Sequence, residues 1–320
     1  MNNLPFLLKY RPNIINDFIM YEDNKAVLRS LLEISNLNLL LLGPISCGKS
    51  SLINILINEY FKDKQKNSEN ILYINSLKDQ GINFYRTEVK TFCQSKSLDK
   101  YKKKLIIIDD IDTLNEQSQQ VFRNSLDKYS DNINIICSAT NSQKVVDSIQ
   151  SRLLSIKMCK LNNDQLLEIL CRVKKIEGLT FPDDINNFII NVSNNSVRLI
   201  LNYLEKIKLY GKDITLENYK DFCSNISYIE LENFTLAWFN NDIGESIKIL
   251  YSLVNCGYSV IDILDGYYGF IKILNHSLIT EELKYNIIQV ICKYIAIFHS
   301  NSEDELELCC LSLDLCKLVS

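Results

Sequence analysis

The feature that most constrains this chain is a run of four leucines that leads directly into a glycine-bracketed loop. Leu39–Leu42 read as a buried β-strand, and the segment Gly43-Pro44-Ile45-Ser46-Cys47-Gly48-Lys49-Ser50-Ser51 follows without a break. Glycines at this spacing let the chain turn tightly, so that successive backbone N–H groups point at one anion. The pattern predicts a loop between a strand and a helix that holds a nucleoside triphosphate by its phosphates.

The end of this loop carries the side chains that such a site needs. Lys49 would supply a point charge to the phosphates, and Ser50 a hydroxyl for Mg²⁺. A helix beginning near Gly48 would add the positive end of its dipole. The alternative is a tight turn without a ligand. Because the chain has only nine glycines, two at the required spacing before Lys-Ser favour the phosphate site.

The length and composition of the chain are those of a globular protein with more than one domain. With 320 residues, the chain has room for two or three domains. Its 47% apolar and 23% charged residues are typical of a globular protein. No apolar run approaches the roughly 18 residues of a membrane span, and no segment resembles a signal peptide. These observations predict a soluble, intracellular protein with no membrane partner.

The cysteine, histidine and charge content limits which disulfide, zinc and nucleic-acid sites we expect in the chain. The eleven cysteines include no Cys-x-x-Cys pair, and only two histidines occur, so we expect buried free thiols rather than disulfides or zinc. The net charge of −4 means that any nucleic-acid surface is local. The basic run from Arg86 to Lys104 is one candidate, and a solvated surface is the equal alternative.

Strand-like and helical patterns alternate through the first half of the chain. This alternation predicts an α/β fold with a parallel sheet covered by helices. From about Leu161 the patterns are helical only. We therefore expect a nucleotide-binding domain over 1–158, a small helical lid over 159–225 and an all-α domain over 226–320. The expected strands are Leu39–Leu42, Ile71–Ile74, Leu105–Ile108 and Ile133–Cys137.

Two expected strands end in polar residues that complete a phosphate site. After Leu105–Ile108 come Asp109 and Asp110; the first is suited to hold Mg²⁺ through water and the second to orient the attacking water. Acidic residues here can also cap the next helix. After the following strand comes Asn141, which would lie beside the γ-phosphate; a turn residue is the alternative.

Several further motifs, in order along the chain, resemble the AAA+ clamp loaders, specifically the small subunits of replication factor C. Lys9-Tyr10-Arg11-Pro12 is similar to the family's opening motif, and Ile74–Arg86 resembles the box after its second strand. Gln119–Arg123 resembles its Gln-Gln helix, Ile149–Arg152 the end of its sheet domain, and Asn195–Arg198 its lid helix. These motifs lie within residues 4–205, and the remainder resembles the family in length and helical character.

The resemblance implies roles around the nucleotide. Tyr10, Arg11 and Pro12 would lie near the base, and Arg198 would reach the phosphates from the lid. Arg152 would act in trans on the nucleotide of a neighbouring subunit, where a guanidinium offsets the charge that develops during phosphoryl transfer.

The resemblance also implies a DNA-binding role for two residues of the helix after the second strand. Arg86 and Lys90 would meet duplex phosphates inside a subunit spiral, which positions DNA without reading its sequence.

Together these features predict a small subunit of a replication factor C-like clamp loader. Such a subunit uses ATP and Mg²⁺ to load a sliding clamp of the PCNA type onto primer-template DNA. It works in a hetero-oligomer, expected to be pentameric, with other loader subunits. The expected location is the nucleus, or a viral replication compartment if the source is a large DNA virus.

Departures from the family pattern keep alternatives open. Asp110 stands where the family usually has Glu, one methylene longer, so the chain could bind ATP without hydrolysing it. Ile45-Ser46-Cys47 replaces Pro-Gly-Thr in the loop, Leu153 replaces a cysteine, and Ser196 replaces an acidic residue. The alternatives are a non-hydrolysing structural subunit of the loader, or another AAA+ replication or repair ATPase.

Overall fold

The computed structural model describes residues 4–61, 68–76, 81–97, 102–211, 226, 228–274, 279–300 and 304–318. These residues form two compact units. The first comprises Met1–Ile169 with Asn195–Leu201, and the second comprises Leu170–Asn194 with Asn202–Ser320. The division into three domains at residues 158 and 225 stays a prediction.

The first unit is built on a parallel five-stranded sheet. Its strands are β1 (Leu39–Leu42), β2 (Ile71–Asn75), β3 (Lys104–Asp109), β4 (Ile133–Ala139) and β5 (Leu154–Lys157), in the order β2-β3-β4-β1-β5. β1 is an interior strand: Leu39 pairs with Ile136 of β4 on one side and Leu154 of β5 on the other. The carboxyl ends of β1, β3 and β4 therefore lie side by side.

Alternation along the strands supplies a core on each face of this sheet. Leu39 and Leu41 of β1 pack with Leu52 and Leu56, whereas Leu40 packs in the cluster on the opposite face. Parallel strands that are covered on both faces are apolar at every position. The four leucines of β1 therefore contribute side chains to the cores on both faces of the sheet. The α/β fold with a parallel sheet is confirmed.

Helices flank the strands and account for most of the chain. In the first unit the helix Glu116–Tyr129 begins after Asn115, whose side chain accepts a hydrogen bond from Ser118 N at 2.8 Å. The helices up to residue 210 are α1 (Phe6–Lys9), α2 (Glu22–Ile34), α3 (Lys49–Tyr60), α4 (Gly81–Gln94), α5 (Glu116–Tyr129), α6 (Asp147–Gln150), α7 (Asn163–Glu177), α8 (Asp183–Val192) and α9 (Val197–Tyr210).

The second unit is helical throughout its described residues. Its core surrounds Trp238 and Tyr267, both fully buried, and the Trp238 Nε1–H donates to the Tyr267 hydroxyl at 2.9 Å. From residue 228 onward its helices are Tyr228–Phe239, Ile243–Asn255, Val260–Ile273, Glu281–Ser300 and Leu306–Cys316.

The helices of the described residues are short or carry many polar side chains compared with membrane-spanning helices. No single helix there combines the length and apolar character needed to span a membrane. Ile243–Asn255 and Val260–Ile273 meet the length and composition requirement only as a pair, with a 120° bend between them.

The cysteines differ in part from the buried thiols that the sequence predicts. Cys47, Cys93, Cys137 and Cys316 are buried, but five other described cysteines are exposed, Cys310 among them. Cys310 lies on the outer side of a helix whose opposite side carries the buried Leu308, Leu311 and Leu315.

Candidate nucleotide-binding site

The phosphate loop connects β1 to α3 and is anchored at its start. Gly43 N donates to the Ala139 carbonyl at the end of β4, at 3.2 Å, and Met158 N donates to the Leu42 carbonyl at 2.7 Å. The loop therefore begins between the ends of β4 and β5. It continues to Gly48, and α3 starts at Lys49.

Both glycines of the loop are required by its geometry. A Cβ on Gly43 would lie 2.4 Å from the Met158 carbonyl oxygen. Gly48 has a φ of +95°, and a Cβ there would lie 2.9 Å from the Phe18 ring. Ser46 occupies the left-handed region with a φ of 65°, a conformation that costs a residue with a Cβ about 1–2 kcal/mol. The chain thus keeps the loop shape although Ser46 stands where the family has glycine.

Lys49 is buried, with 7% of its surface exposed. Its Nζ donates to the carbonyls of Gly43 at 2.7 Å and Pro44 at 3.0 Å, so the ammonium group lies inside the loop. The first N–H groups of a helix have no acceptor within that helix, and the helix dipole is positive at that end. Lys49 and the start of α3 therefore converge on one anion-binding position.

Ser50 and Asp109 bring the loop and β3 together. Ser50 Oγ donates to Asp109 Oδ2 at 3.0 Å, and Ser138 Oγ at the end of β4 donates to Asp109 Oδ1 at 2.5 Å. A hydroxyl and a carboxylate are hard oxygen ligands of the kind that Mg²⁺ prefers. The residues present therefore fit a magnesium ion bound with phosphates.

Asp110 follows directly on Asp109 and has an unusual environment. Its φ of 54° is left-handed, and its N–H donates to Ser138 Oγ at 2.8 Å. Burial raises the pKa of Asp110, and the negative charges of Asp109 and Asp112 raise it further, against a lowering by Lys49. A carboxyl group with a raised pKa accepts a proton more readily than an ordinary aspartate.

Asp112 and Thr140 were not identified from the sequence. Asp112 Oδ2 accepts hydrogen bonds from Thr140 N at 3.0 Å, Thr140 Oγ1 at 2.6 Å and Asn141 N at 3.0 Å. Asn141, which the sequence predicts beside the γ-phosphate, uses its side chain to accept from Gln143 N at 2.9 Å. Because β4 extends to Ala139, Thr140 is the polar residue that lines the cavity at this strand end.

Asp112, Thr140 and residues of the phosphate loop line one cavity that is open to solvent. Arg198, at the start of α9, lies on its wall and is exposed. The structure thus brings Arg198 to the same space as the phosphate loop. Other lining residues are Ile45, Ser46, Gly48, Lys49, Ser50, Ser51, Asp110, Asp112 and Thr140.

A second cavity of about 550 Å³ adjoins the loop at Cys47. Its walls come from Phe18–Tyr21 and from 157–162 after β5, with amide groups from Asn24, Asn162 and Gln165. Lys157 and Lys160 also line this cavity. Apolar side chains beside amide donors and acceptors are surroundings that suit a purine base. Phe18–Tyr21 belong to none of the sequence motifs described above.

The opening motif lies apart from the described lining of this second cavity. Arg11 Nη2 donates to the Ser50 carbonyl in the first turn of α3 at 2.5 Å, and the Tyr10 ring packs on Phe6 with centroids 5.4 Å apart. Pro12 is partly buried beside them. In this structure Arg11 therefore supports the helix that begins at the phosphate loop.

Gln119, in the family-like helix α5, connects the loops that follow β3 and β4. It is fully buried, and its Nε2 donates to carbonyls of Leu114 at 3.0 Å and Lys144 at 2.9 Å. Its Oε1 accepts from Val146 N at 2.9 Å. One side chain thus couples the segment carrying Asp112 to the segment that follows Thr140.

Arg152 lies apart from this cavity and is held by α5. Its Nε and Nη2 donate to the two carboxylate oxygens of Asp127 at 2.5 Å and 3.1 Å, and Arg123 approaches the same carboxylate at 3.6 Å. The hydrogen bond from Arg152 lowers the pKa of Asp127. Arg152 is thereby presented on the surface of the first unit.

The basic run resolves into two kinds of residue. Arg86 and Lys90 are exposed on one side of α4, four residues apart, while Tyr85 and Val89 are buried.

Lys104 is 4% exposed and donates to Ser95 Oγ at 2.5 Å. Lys102 and Lys103 donate to backbone carbonyls of Tyr60 and Ser130. Part of the family-like box, residues 77–80, and Lys100 lie outside the described residues.

Comparison with known proteins adds sequence relatives over most of the chain. The family model described as an AAA domain matches residues 35–166. Replication factor C small subunit 1 of Pyrobaculum arsenaticum is 27% identical over 96% of this chain and 93% of its own length. Probable replication factor C subunit 2 of Dictyostelium discoideum is 28% identical over 85% of this chain and 81% of its own. Replication factor C subunit 2 of Arabidopsis thaliana is 27% identical, over 84% and 81%.

Solved structures show the same fold. The Holliday junction branch migration motor RuvB of Thermotoga maritima has a TM-score of 0.53 at 18% identity, over 72% of this chain and 79% of that one. Domain III of the replication initiation protein DnaA from the same organism has a TM-score of 0.50 at 20% identity, over 66% and 95%. At these identities the likeness concerns the fold alone. Residues 35–166 of the chain match the AAA domain, the two solved structures share its fold, and the relatives named above, which match it over most of its length, are replication factor C subunits.

Proposed function

We propose that this chain is a small subunit of a clamp loader of the replication factor C type, which uses ATP to place a sliding clamp on primer-template DNA. One observation carries the proposal. Lys49, Ser50, Asp110 and Arg198 line a single cavity in a chain whose replication factor C relatives match it over most of their length. The names of the relatives indicate the complex to which the chain would belong. The residues of the cavity indicate how it would bind a nucleotide.

Different residues of the chain would hold the phosphates, the metal and the base of the nucleotide. Backbone N–H groups of Gly43–Ser51 and the buried Lys49 would hold the phosphates, and Arg198 would contact them from α9. Ser50 and Asp109 would hold Mg²⁺, which when bound neutralises developing charge on the phosphates. The base would lie in the second cavity beside Cys47. Tyr10, Arg11 and Pro12 would then support α3 from behind the site.

For hydrolysis, Asp110 would orient the attacking water. Its raised pKa makes it a better proton acceptor than an ordinary aspartate, although its side chain is one methylene shorter than glutamate. The same shortness supports a second candidate function, an ATP-binding subunit that does not hydrolyse. In that case nucleotide binding alone would order the complex.

Arg152 would complete a neighbouring subunit's site. Its guanidinium is fixed by Asp127 on the surface of the first unit, outside its own phosphate cavity. An arginine supplied in trans stabilises transition-state charge and is worth about 10³–10⁵ in rate. This role requires other loader subunits, expected in a pentamer.

Arg86 and Lys90 would contact duplex phosphates, since both are exposed on one side of α4. Relatives in Dictyostelium and Arabidopsis support a nuclear role in DNA replication. A viral replication compartment is the proposed location if the source is a large DNA virus.

The test is ATP hydrolysis by the assembled complex. We expect clamp plus primed DNA to stimulate the wild-type complex, and Lys49→Ala to lose this subunit's share of turnover. An absence of stimulation would exclude the loader function. Stimulated turnover that is unchanged in Asp110→Ala would favour the non-hydrolysing subunit.

A further inference from the structure

Two cysteines lie on the wall of the second cavity, beside the phosphate loop. Cys47 belongs to the loop itself, Cys159 lies just after β5, and both line this one cavity. Both are free thiols in this structure. Cys47 stands where the family that the loop resembles has threonine, and the nucleotide site gives neither thiol a chemical role.

The surroundings of Gly43 show how close the two cysteine-bearing segments are. A Cβ on Gly43 would lie 2.9 Å from Cys47 Sγ and 2.4 Å from the carbonyl oxygen of Met158, the residue before Cys159. The Cys47 sulfur therefore lies against the segment that carries Cys159. Burial raises the pKa of the Cys47 thiol, and the negative charge of Cys159 raises it further, against a lowering by Lys49. Such an effect of one cysteine on the other requires that the two are near each other.

The two thiols differ in exposure, which gives them different parts in an oxidation. Cys159 is exposed to solvent, whereas Cys47 is only 8% exposed. An oxidant from solvent therefore meets Cys159 first. Because burial raises the pKa of Cys47, its thiol is mainly protonated at neutral pH and reacts slowly with an oxidant on its own. A neighbouring sulfur that is already oxidised is a closer target for it.

We propose that Cys47 and Cys159 form a reversible disulfide that closes the nucleotide site when the protein meets a peroxide. The Cys159 thiolate would attack hydrogen peroxide, forming a sulfenic acid and releasing hydroxide, which takes up the proton that Cys159 lost. The Cys47 thiol would then attack that sulfur, and its proton would leave with the displaced hydroxide as water. Two thiols and one peroxide thus give one disulfide and two waters, with two electrons passing from sulfur to peroxide.

The disulfide would act on nucleotide binding in two ways. It would place a bond across the cavity proposed for the base. Because disulfide geometry is narrow, it would also fix the loop at Cys47, directly before Gly48 and Lys49, to the segment after β5. A loop fixed there cannot adjust to the phosphates. The inference rests on the proposed function, since it concerns regulation of the same nucleotide site.

The test combines mass spectrometry with ATP titration of the purified chain. The reduced chain is treated with hydrogen peroxide, the remaining thiols are alkylated, and the digest is searched for peptides joined through Cys47 and Cys159. ATP affinity in the presence of Mg²⁺ is measured before oxidation, after it, and after addition of dithiothreitol. We expect the joined peptides to form, ATP affinity to fall at least about tenfold, and dithiothreitol to restore it.

Three variants make the outcome specific. Cys47→Ser and Cys159→Ser each remove one sulfur, and each is compared with itself before and after oxidation, so that its own starting affinity does not enter. Both should lose the peroxide effect. Cys171→Ser is the matched control, because Cys171 is exposed like Cys159 but lies on α7 outside the lining of the cavity. This variant should respond to peroxide as the wild type does.

Three results would overturn the inference. Oxidation of Cys159 in the wild type without joined peptides would mean that the two sulfurs do not meet. Joined peptides with unchanged ATP affinity would mean that the disulfide does not close the site. A peroxide effect that persists in Cys159→Ser would place its cause elsewhere. Failure of the proposed function looks different, because the reduced wild-type chain would then bind no ATP while the disulfide still formed.

Discussion

Ser50 and Asp109 are 59 residues apart in the chain and are joined by a hydrogen bond of 3.0 Å from Ser50 Oγ to Asp109 Oδ2. The bond connects the first turn of α3 with the last residue of β3. It exists because β1 and β3 both end at the same edge of a parallel sheet, with β4 between them. The two halves of the proposed Mg²⁺–nucleotide site are therefore held next to each other.

Ser50, in the first turn of α3, is a proposed Mg²⁺ ligand. Ser50→Ala removes a proposed Mg²⁺ ligand but leaves Lys49 and the loop backbone in place. We expect ATP affinity in the presence of Mg²⁺ to fall about tenfold, with little change when the metal is chelated. Calorimetric titration with and without Mg²⁺ measures both values. The neighbouring Ser51→Ala serves as the matched control, and an equal loss in the two variants would argue against a metal role for Ser50.

Asp110 provides a prediction about stability and pH. Its folded-state pKa is raised, so its ionised form is disfavoured in the fold, and the resulting destabilisation appears as pH rises through that pKa. Asp110→Asn should therefore raise the melting temperature at pH 7.5, and the gain should shrink toward pH 4. Thermal unfolding across this range is the measurement.

Asp127→Asn is the matched control with the opposite sign. The pKa of Asp127 is lowered by its hydrogen bond to Arg152, so its contribution is present above its ordinary pKa of 3.8 and is lost as pH falls below it. This variant should be slightly less stable than wild type at pH 7.5. A lower melting temperature for Asp110→Asn would contradict the account of its environment.

Much of the fold could be predicted from the sequence, because the spacing of apolar residues indicates which positions of a strand or helix are buried. The leucine run became β1, and the other three predicted strands lie within β2, β3 and β4. β5 was missed since only Ile156 of its four residues is buried, which leaves no apolar run to detect.

The site was harder to predict at the strand ends. β4 runs two residues beyond the predicted Cys137, and this extension brings Thr140 rather than the side chain of Asn141 to the cavity. The sequence also did not show which lysines of the basic run from Arg86 to Lys104 are exposed. Charge along a sequence does not reveal that Lys104 is buried against Phe92, with its Nζ 4.4 Å from the ring centroid.

Arg152 leads to a prediction that distinguishes folding from assembly. Its ion pair with Asp127 is exposed to solvent, and exposed ion pairs contribute little to stability. Arg152→Ala should therefore leave the chain's melting temperature and its own ATP affinity nearly unchanged. In a complex assembled with a wild-type neighbour, it should slow hydrolysis at the neighbour's site. Loss of ATP affinity at its own site would show that Arg152 acts in cis.

Arg86 and Lys90 are expected to bind DNA through phosphates alone. Replacing both by Ala should weaken binding of the complex to primed DNA irrespective of sequence. It should also reduce the slope of log affinity against log salt by about 2, since each phosphate contact contributes about 0.9. Lys103→Ala is the control, because its Nζ is bonded to the Ser130 carbonyl at 2.9 Å. An unchanged slope in the double variant would place the DNA elsewhere.

The most direct test of the central claim is titration of the purified chain with ATP and Mg²⁺, comparing wild type with Lys49→Ala. Lys49 Nζ lies within the loop, 2.7 Å from the Gly43 carbonyl oxygen, where phosphates would meet it. The account predicts one ATP bound per wild-type chain and at least about tenfold weaker binding by a folded Lys49→Ala variant. Equal affinity in the two proteins, or no binding by wild type, would contradict it.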